Sequence, residues 1–247
     1  MSVNACAALV ETGDPDRFLA AMAAPPDARR VLFPLYALNL EIARAPYVTS
    51  EPMLAEIRLQ WYRDALDELR TGQSPRRHEV VTSLAAILDP VACDTLSRIA
   101  DARRWDIARA PFLSEAQFRA HLNQSTGNLV WTAARLLGAG DEEGPVRKVA
   151  FAEGLARWFQ AVPDLAARGM RPLVDDGPNA IRRLAEAALG DIAGVRLSKP
   201  ARVATLSAWE AEPLLRQAAA DPARVAAGRL ALSPFRRRAR LLRKAAI

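Results

Sequence analysis

The sequence predicts an all-α chain folded as a single helical domain, and three observations predict it. Apolar residues recur at helical spacing, and alanine is abundant while runs of β-branched residues are scarce. Asp14-Pro15, Asp89-Pro90, Asp221-Pro222 and Ser233-Pro234 each set a capping side chain before a proline suited to the first helical position. No segment alternates as a half-buried strand would.

Taken in order, Asp14-Pro15 opens a helix over 15–24. The next, 28–44, contains the uncharged run VLFPLYALNL, where Pro34 removes a backbone donor and should introduce a kink. Helices follow over 52–70 and 79–88, and Asp89-Pro90 starts one over 91–109. Ser114 and Gln117 form a capping-box pattern ahead of a long helix over 115–138, which Gly138, Gly140 and Asp141 close. The remaining helices are expected over 146–168, 180–195, 200–219, 223–231 and 235–245, with 169–179 (GMRPLVDDGPN) as the least regular loop. Connections are short, and neither a linker nor an internal repeat divides residues 1–247.

Between Arg119 and Arg135 lie fifteen residues without formal charge, too polar for a membrane and too poor in charge for a water-facing helix. That helix is expected to be surrounded by protein. At 100° per residue His121, Ser125, Asn128 and Thr132 form a neutral polar stripe, which either lines a cavity or satisfies neighbouring backbone and helices. Tyr36, Asn39, Glu41 and Asn128 are the candidate cavity-lining residues.

The composition, 51% hydrophobic and 25% charged, is that of a globular chain with a core and excludes disorder. No stretch approaches the roughly 18 apolar residues of a transmembrane helix, and the N-terminus has no basic start or long apolar run, so neither export nor membrane spanning is expected. Cys6 and Cys93 stand far apart without metal-ligand spacing, so they read as small buried hydrophobes in a reducing cytoplasm. His78 and His121 accompany no nucleophile setting, and no glycine-rich phosphate loop follows a strand.

The net charge of +6 belongs to the C-terminus. Arg236, Arg237, Arg238, Arg240, Arg243 and Lys244 lie within FRRRARLLRKAAI without an acid, and the other cations balance the 28 acids. With Phe235, Leu241, Leu242 and Ile247 they form a basic amphipathic helix over about 235–247 that suits an anionic membrane surface. A packed terminal helix with a solvated basic side is the alternative. Nucleic acid is not an expected partner, because no aromatic platform or reading motif accompanies the charge.

Four segments, DRFLAAMAAPPDARRVLFPLYALNLEIA, SEPMLAEIRLQWYRDAL, SEAQFRAHLNQSTGNLVWTAARLLG and FAEGLARWFQAVPDLAARGMRPLV, resemble the squalene/phytoene synthase family in order and spacing over nearly the whole chain. The resemblance implies the isoprenoid (terpenoid) synthase fold, with helices around a central cavity. Active members ionise a prenyl diphosphate with Mg²⁺ held by two DxxxD elements on facing helices, since acids four apart share a helix side. The first element aligns at or near Ala43, Arg44 and Tyr47, and the second near Ala161 and Leu165, leaving only Asp164.

The pattern resembles a degenerate branch that includes the mitochondrial complex I assembly factor and its bacterial relatives. That resemblance implies a retained fold, lost catalysis and a role in respiratory-chain assembly, with no cofactor and with a polyprenyl-type lipid or an assembly protein as partner. The rival is an active Mg²⁺-dependent prenyl-diphosphate transferase using Glu41, Asp64, Glu68 and Asp164. Against it, Asp164 is spaced to pair with Arg168, and Asp64 and Glu68 with Arg63 and Arg70. Asp175 and Asp176 read as solvated turn acids. A cytoplasmic location, peripheral on the inner membrane, is expected.

Overall fold

A computed structural model describes residues 3–246, and its described residues are helical with no strand. The first helix, α1 (Val3–Gly13), was not among the expected elements. It carries no cap or proline signal and owes its stability to tertiary packing, burying Cys6 and Val10 against α3 (Pro26–Arg44). Between them α2 (Pro15–Ala23) is capped by Asp14, whose carboxylate accepts the Arg17 N–H at 3.1 Å. Helix α3 continues through Pro34 and tightens at its end into a 3₁₀ turn, Ala45–Tyr47. Next come α4 (Pro52–Arg70) and α5 (Glu79–Leu84). The latter is shorter than the expected 79–88, because Ile87 and Leu88 both donate to the Leu84 carbonyl in a turn.

Helix α6 (Pro90–Ala108) is capped by Asp89 and closes on Arg109 in the left-handed region, φ 53°. The long helix expected over 115–138 is present as a rod with a defect: α7 (Glu115–Leu122), a π turn (Asn123–Gly127) and α8 (Asn128–Leu136). Ser114 caps as expected, but Gln117 Oε1 accepts from Leu113 N at 2.7 Å, one residue before the usual capping-box partner. Helix α9 (Glu143–Ala167) and α10 (Pro178–Ile192) follow.

The helix expected over 200–219 is broken into α11 (Lys199–Ala204), a 3₁₀ turn (Thr205–Ala208) and α12 (Ala211–Ala220). Pro213 has no N–H to donate to the Trp209 carbonyl four residues back, and Arg240 Nε of the last helix donates to that oxygen instead. Helix α13 (Ala223–Ala226) stops before Gly228, φ 64°, and α14 (Pro234–Ala245) ends the described chain. Ile247 lies outside the described residues.

The apolar interior is in two clusters. One joins α1 to α6 with α8 and α11, and includes Leu32, Tyr36, Leu59 and Leu96. The other gathers α7, α9, α10, α12 and α13 around Phe118, Phe159, Leu184 and Leu215. Both cysteines are buried and unpaired, and among the described residues no helix is long and apolar enough to cross a membrane.

Candidate functional site

A cleft of about 340 Å³ opens where α3, α6, the π turn and α9 meet. The resemblance assigned carboxylates at or near Ala43, Arg44, Tyr47, Ala161 and Leu165, and all of these except Arg44 line this one cleft. Ala43 and Tyr47 come from the end of α3 and its 3₁₀ turn, and Ala161 and Leu165 from successive turns of α9. Two i, i+4 pairs thus border a common space, the geometry from which paired carboxylates would converge on a cation. A methyl, a phenol, a second methyl and an isobutyl group stand there instead. None offers the anionic oxygen a hard divalent ion takes. Among the described residues no three His, Cys, Asp or Glu side chains are grouped to hold a metal.

Most of the charge in the cleft, Asp164 aside, is used internally. The Tyr47 hydroxyl donates to Asp106 Oδ1 at 2.6 Å, Arg103 approaches the other oxygen of Asp106 at 3.5 Å, and the Arg168 guanidinium lies over the Tyr47 ring at 4.7 Å. Burial, reinforced by the Asp106 charge, pushes the Tyr47 phenol far above its ordinary range, so it remains a hydrogen-bond donor. Deeper in, Arg17 bridges Asp14 at 3.1 Å and Glu153 at 2.8 Å, while Arg157 contacts both acids and Ser207 donates to Glu153 at 2.6 Å. Burial alone would raise the Asp14 carboxyl, but Arg17 and Arg157 outweigh it and hold it below the carboxylate norm. Burial likewise disfavours the Arg17 cation, and Glu153 and Asp14 more than reverse that. Gly154 completes the wall: a Cβ there would lie 3.2 Å from Thr126 Cβ, so glycine lets α9 approach the π turn.

Beside the cleft His121 is caged by Trp105, Phe112 and Trp158, with ring centroids 5.6, 5.3 and 5.0 Å away. Its Nε2 has no partner among the described residues. Burial, with Arg103 nearby, lowers its pKa to about 3, so the imidazole is neutral at physiological pH.

Comparison with known proteins bears on this geometry. The family model described as squalene/phytoene synthase matches residues 10–173. The chain belongs to the squalene/phytoene synthase family. A solved structure titled as a dehydrosqualene synthase in complex with ligand superposes with a TM-score of 0.76 at 12% identity, covering 98% of this chain and 94% of that one, which establishes the isoprenoid synthase fold. Two curated relatives are assembly factor 6 of NADH dehydrogenase (ubiquinone) complex I from Mus musculus and its homolog from Drosophila melanogaster. They are 20% and 25% identical over 66% and 68% of this chain. The chain spans about half the length of those relatives, 50% and 53%.

Within the family fold, the acids named as rival candidates do not converge. Glu41 accepts the Tyr62 hydroxyl at 2.8 Å, Asp64 accepts from Gln60 on the α4 surface, and Glu68 makes a two-pronged pair with Arg76 at 2.8 Å. Of these four rival acids only Asp164 borders the cleft. Its expected partner Arg168 is drawn to the Tyr47 ring, and the expected partners of Asp64 and Glu68 are also displaced: Arg63 pairs with Asp101, and Arg70 with Asp67 and Asp94. Asp175 accepts the Gly177 N–H, as a turn acid does.

Of the lining candidates Asn39 borders the cleft. Tyr36 and Asn128 do not. Tyr36 lies under the Arg17 guanidinium in the core, and Asn128 donates to the Thr95 carbonyl at 3.1 Å and accepts from Arg147 at 3.2 Å. The π turn changes the angular register between His121 and Asn128, so the expected stripe does not face one cavity; Ser125, which donates to the His121 carbonyl at 2.8 Å, alone reaches it. Arg103 and Asp106 were not anticipated. In the run ARRWDIAR they carry no signal that separates them from a solvated helix side.

The basic C-terminal residues divide by side. Arg237 pairs with Asp16 and with Glu210 at 2.9 Å, and Arg240 with Glu212 at 2.6 Å, so these two cations dock α14 on the body. Lys244, itself exposed, stands at the edge of a second cavity. Arg236, Arg238 and Arg243 remain exposed around Phe235 and Leu242, which are 80% and 73% accessible.

Proposed function

We propose that the chain is a non-catalytic member of its family that binds a polyprenyl-type lipid or an assembly protein and assists assembly of respiratory complex I. The observation that carries this reading is the cleft bordered by Ala43, Tyr47, Ala161 and Leu165, a family scaffold whose metal-facing positions hold no carboxylate. The printed names of the two curated relatives support the assembly role. The proposal includes a cytoplasmic location, peripheral on the inner membrane, and the outer side of α14, where Phe235 and Leu242 project among Arg236, Arg238 and Arg243, supports contact with an anionic membrane surface. No cofactor is required by this role.

Deleting the gene in its native host tests the assembly role. Complex I activity and the amount of assembled complex on native gels fall and are restored by the wild-type gene; an unchanged complex would end the reading. Incubating the purified protein with Mg²⁺ and a labelled prenyl diphosphate tests the loss of catalysis, and no diphosphate release is expected. Release abolished by Asp164→Ala, the rival acid in the cleft, would replace the proposal with a transferase.

A further inference from the structure

On the far side of α9 from the first cleft's mouth, a separate cavity of about 390 Å³ lies beneath α14. Its apolar part is formed by Val149, Leu189, Ile192 and Leu206, with the Trp209 indole, whose buried Nε1 has no partner among the described residues. Its rim holds Arg202, Arg216, Arg240 and Lys244, with Glu212 as the single acid. Glu212 accepts from Arg216 at 3.1 Å and from Arg240 at 2.6 Å. Among the described residues no carboxylate lies within ion-pairing distance of Arg202 or Lys244. One acid among four cations leaves the rim electropositive.

We propose that this cavity is a second binding site, for a single-chain anionic amphiphile whose tail lies on Val149, Leu189, Ile192 and Leu206 and whose phosphate or carboxylate head meets Lys244 and Arg202. Apolar lining with a few convergent polar groups, in a volume within the 300–1,000 Å³ typical of ligand pockets, is the architecture such a molecule requires. Burial and then the neighbouring Arg240 lower the Lys244 pKa, and the charge of a bound anion would oppose that shift. The site is independent of the first cleft and of its assigned role. Because Arg240 and Lys244 belong to α14 while Arg202 belongs to α11, an occupied cavity would also tie the C-terminal helix to the body.

Calorimetric titration of the full chain with decyl phosphate, below its micelle-forming concentration, tests the proposal against decanol and inorganic phosphate. One equivalent of decyl phosphate binds, about tenfold or more tighter than either the uncharged chain or the free anion. Arg202→Glu with Lys244→Glu weakens it about tenfold, Ala193→Trp at the rim blocks it sterically, and Arg168→Glu in the first cleft leaves it unchanged. If the charge-reversed pair unfolds, Ala193→Trp alone decides. Undiminished binding to folded variants, equal affinity for inorganic phosphate, equal affinity for decanol, or loss of binding in Arg168→Glu would each overturn the proposal.

Discussion

His121 is a histidine held neutral by its surroundings, and this gives the folded state a pH dependence. Its pKa is about 3 when folded, against about 6.5 in an unfolded chain, so below pH 6.5 the unfolded state binds the extra proton. Stability is therefore full above pH 6.5 and declines as pH falls toward 3, with a limiting slope of about 1.4 kcal/mol per pH unit from this group. Urea unfolding of wild type and His121→Leu between pH 4 and 7 checks this: the variant loses distinctly less stability on acidification. Asp14 adds its own loss only at lower pH, since its depressed carboxyl titrates below the unfolded carboxylate range. The Arg17–Glu153 pair, 4% and 2% accessible, gives a second expectation. Arg17→Met leaves the buried Glu153 carboxylate with only Arg157 and Ser207 and costs up to about 3–5 kcal/mol in urea melts, and Glu153→Gln added to it recovers part of that loss. Asp14 was legible as a helix cap from Asp14-Pro15, but its pairing with Arg157 joins residues 143 apart, which no local pattern encodes. Asp164 and Arg168 illustrate the converse: the spacing was right for a helical pair, yet the guanidinium lies over the Tyr47 ring instead.

At the scale of elements, α14 divides its cations between two tasks. It contributes no buried residue and docks through Arg237 and Arg240. Arg237→Glu with Arg240→Glu detaches it, which hydrogen exchange reads as loss of protection confined to residues 234–245 while the melting of the body changes little. Arg236→Glu, Arg238→Glu and Arg243→Glu together leave α14 docked and remove the salt-sensitive part of binding to anionic vesicles, about 1 kcal/mol per residue. Vesicle sedimentation at two ionic strengths separates the two variants. The sequence made α14 legible, through Ser233-Pro234 and the basic run, but not its sidedness, because Asp16, Glu210 and Glu212 reach it from distant segments. The π turn and the break at Thr205–Ala208 were missed for a related reason. Pro213 was visible, whereas the substitution of Arg240 for its absent N–H depends on tertiary structure. Helix α1 lacked any terminal signal and forms by packing on α3.

For the whole molecule, the cleft tests whether the family geometry has outlived its ligands. Ala43, Arg44, Tyr47, Ala161 and Leu165 were legible as the positions that matter because the resemblance aligned them, and the fold brings all but Arg44 to one space. Backbone positions four apart on facing helices are set by α3 and α9, which bury their apolar sides in the two clusters, so that spacing does not depend on the side chains the cleft displays. Replacing all four with aspartate therefore creates carboxylates that repel one another without a cation and converge on one when it is present. The quadruple variant melts below wild type in EDTA and gains stability with Mg²⁺, by about 2.7 kcal/mol when the ion is at 100 times its dissociation constant. Wild type shows no such Mg²⁺ response, since its cleft acids Asp14 and Asp106 are already bound to Arg17, Arg157, Tyr47 and Arg103, and Asp164 alone is one carboxylate where a bound ion needs several. Scanning calorimetry of both proteins with and without Mg²⁺ distinguishes the outcomes. A magnesium shift of equal size in wild type would mean that its own acids hold the ion, and the non-catalytic reading would fall with that result.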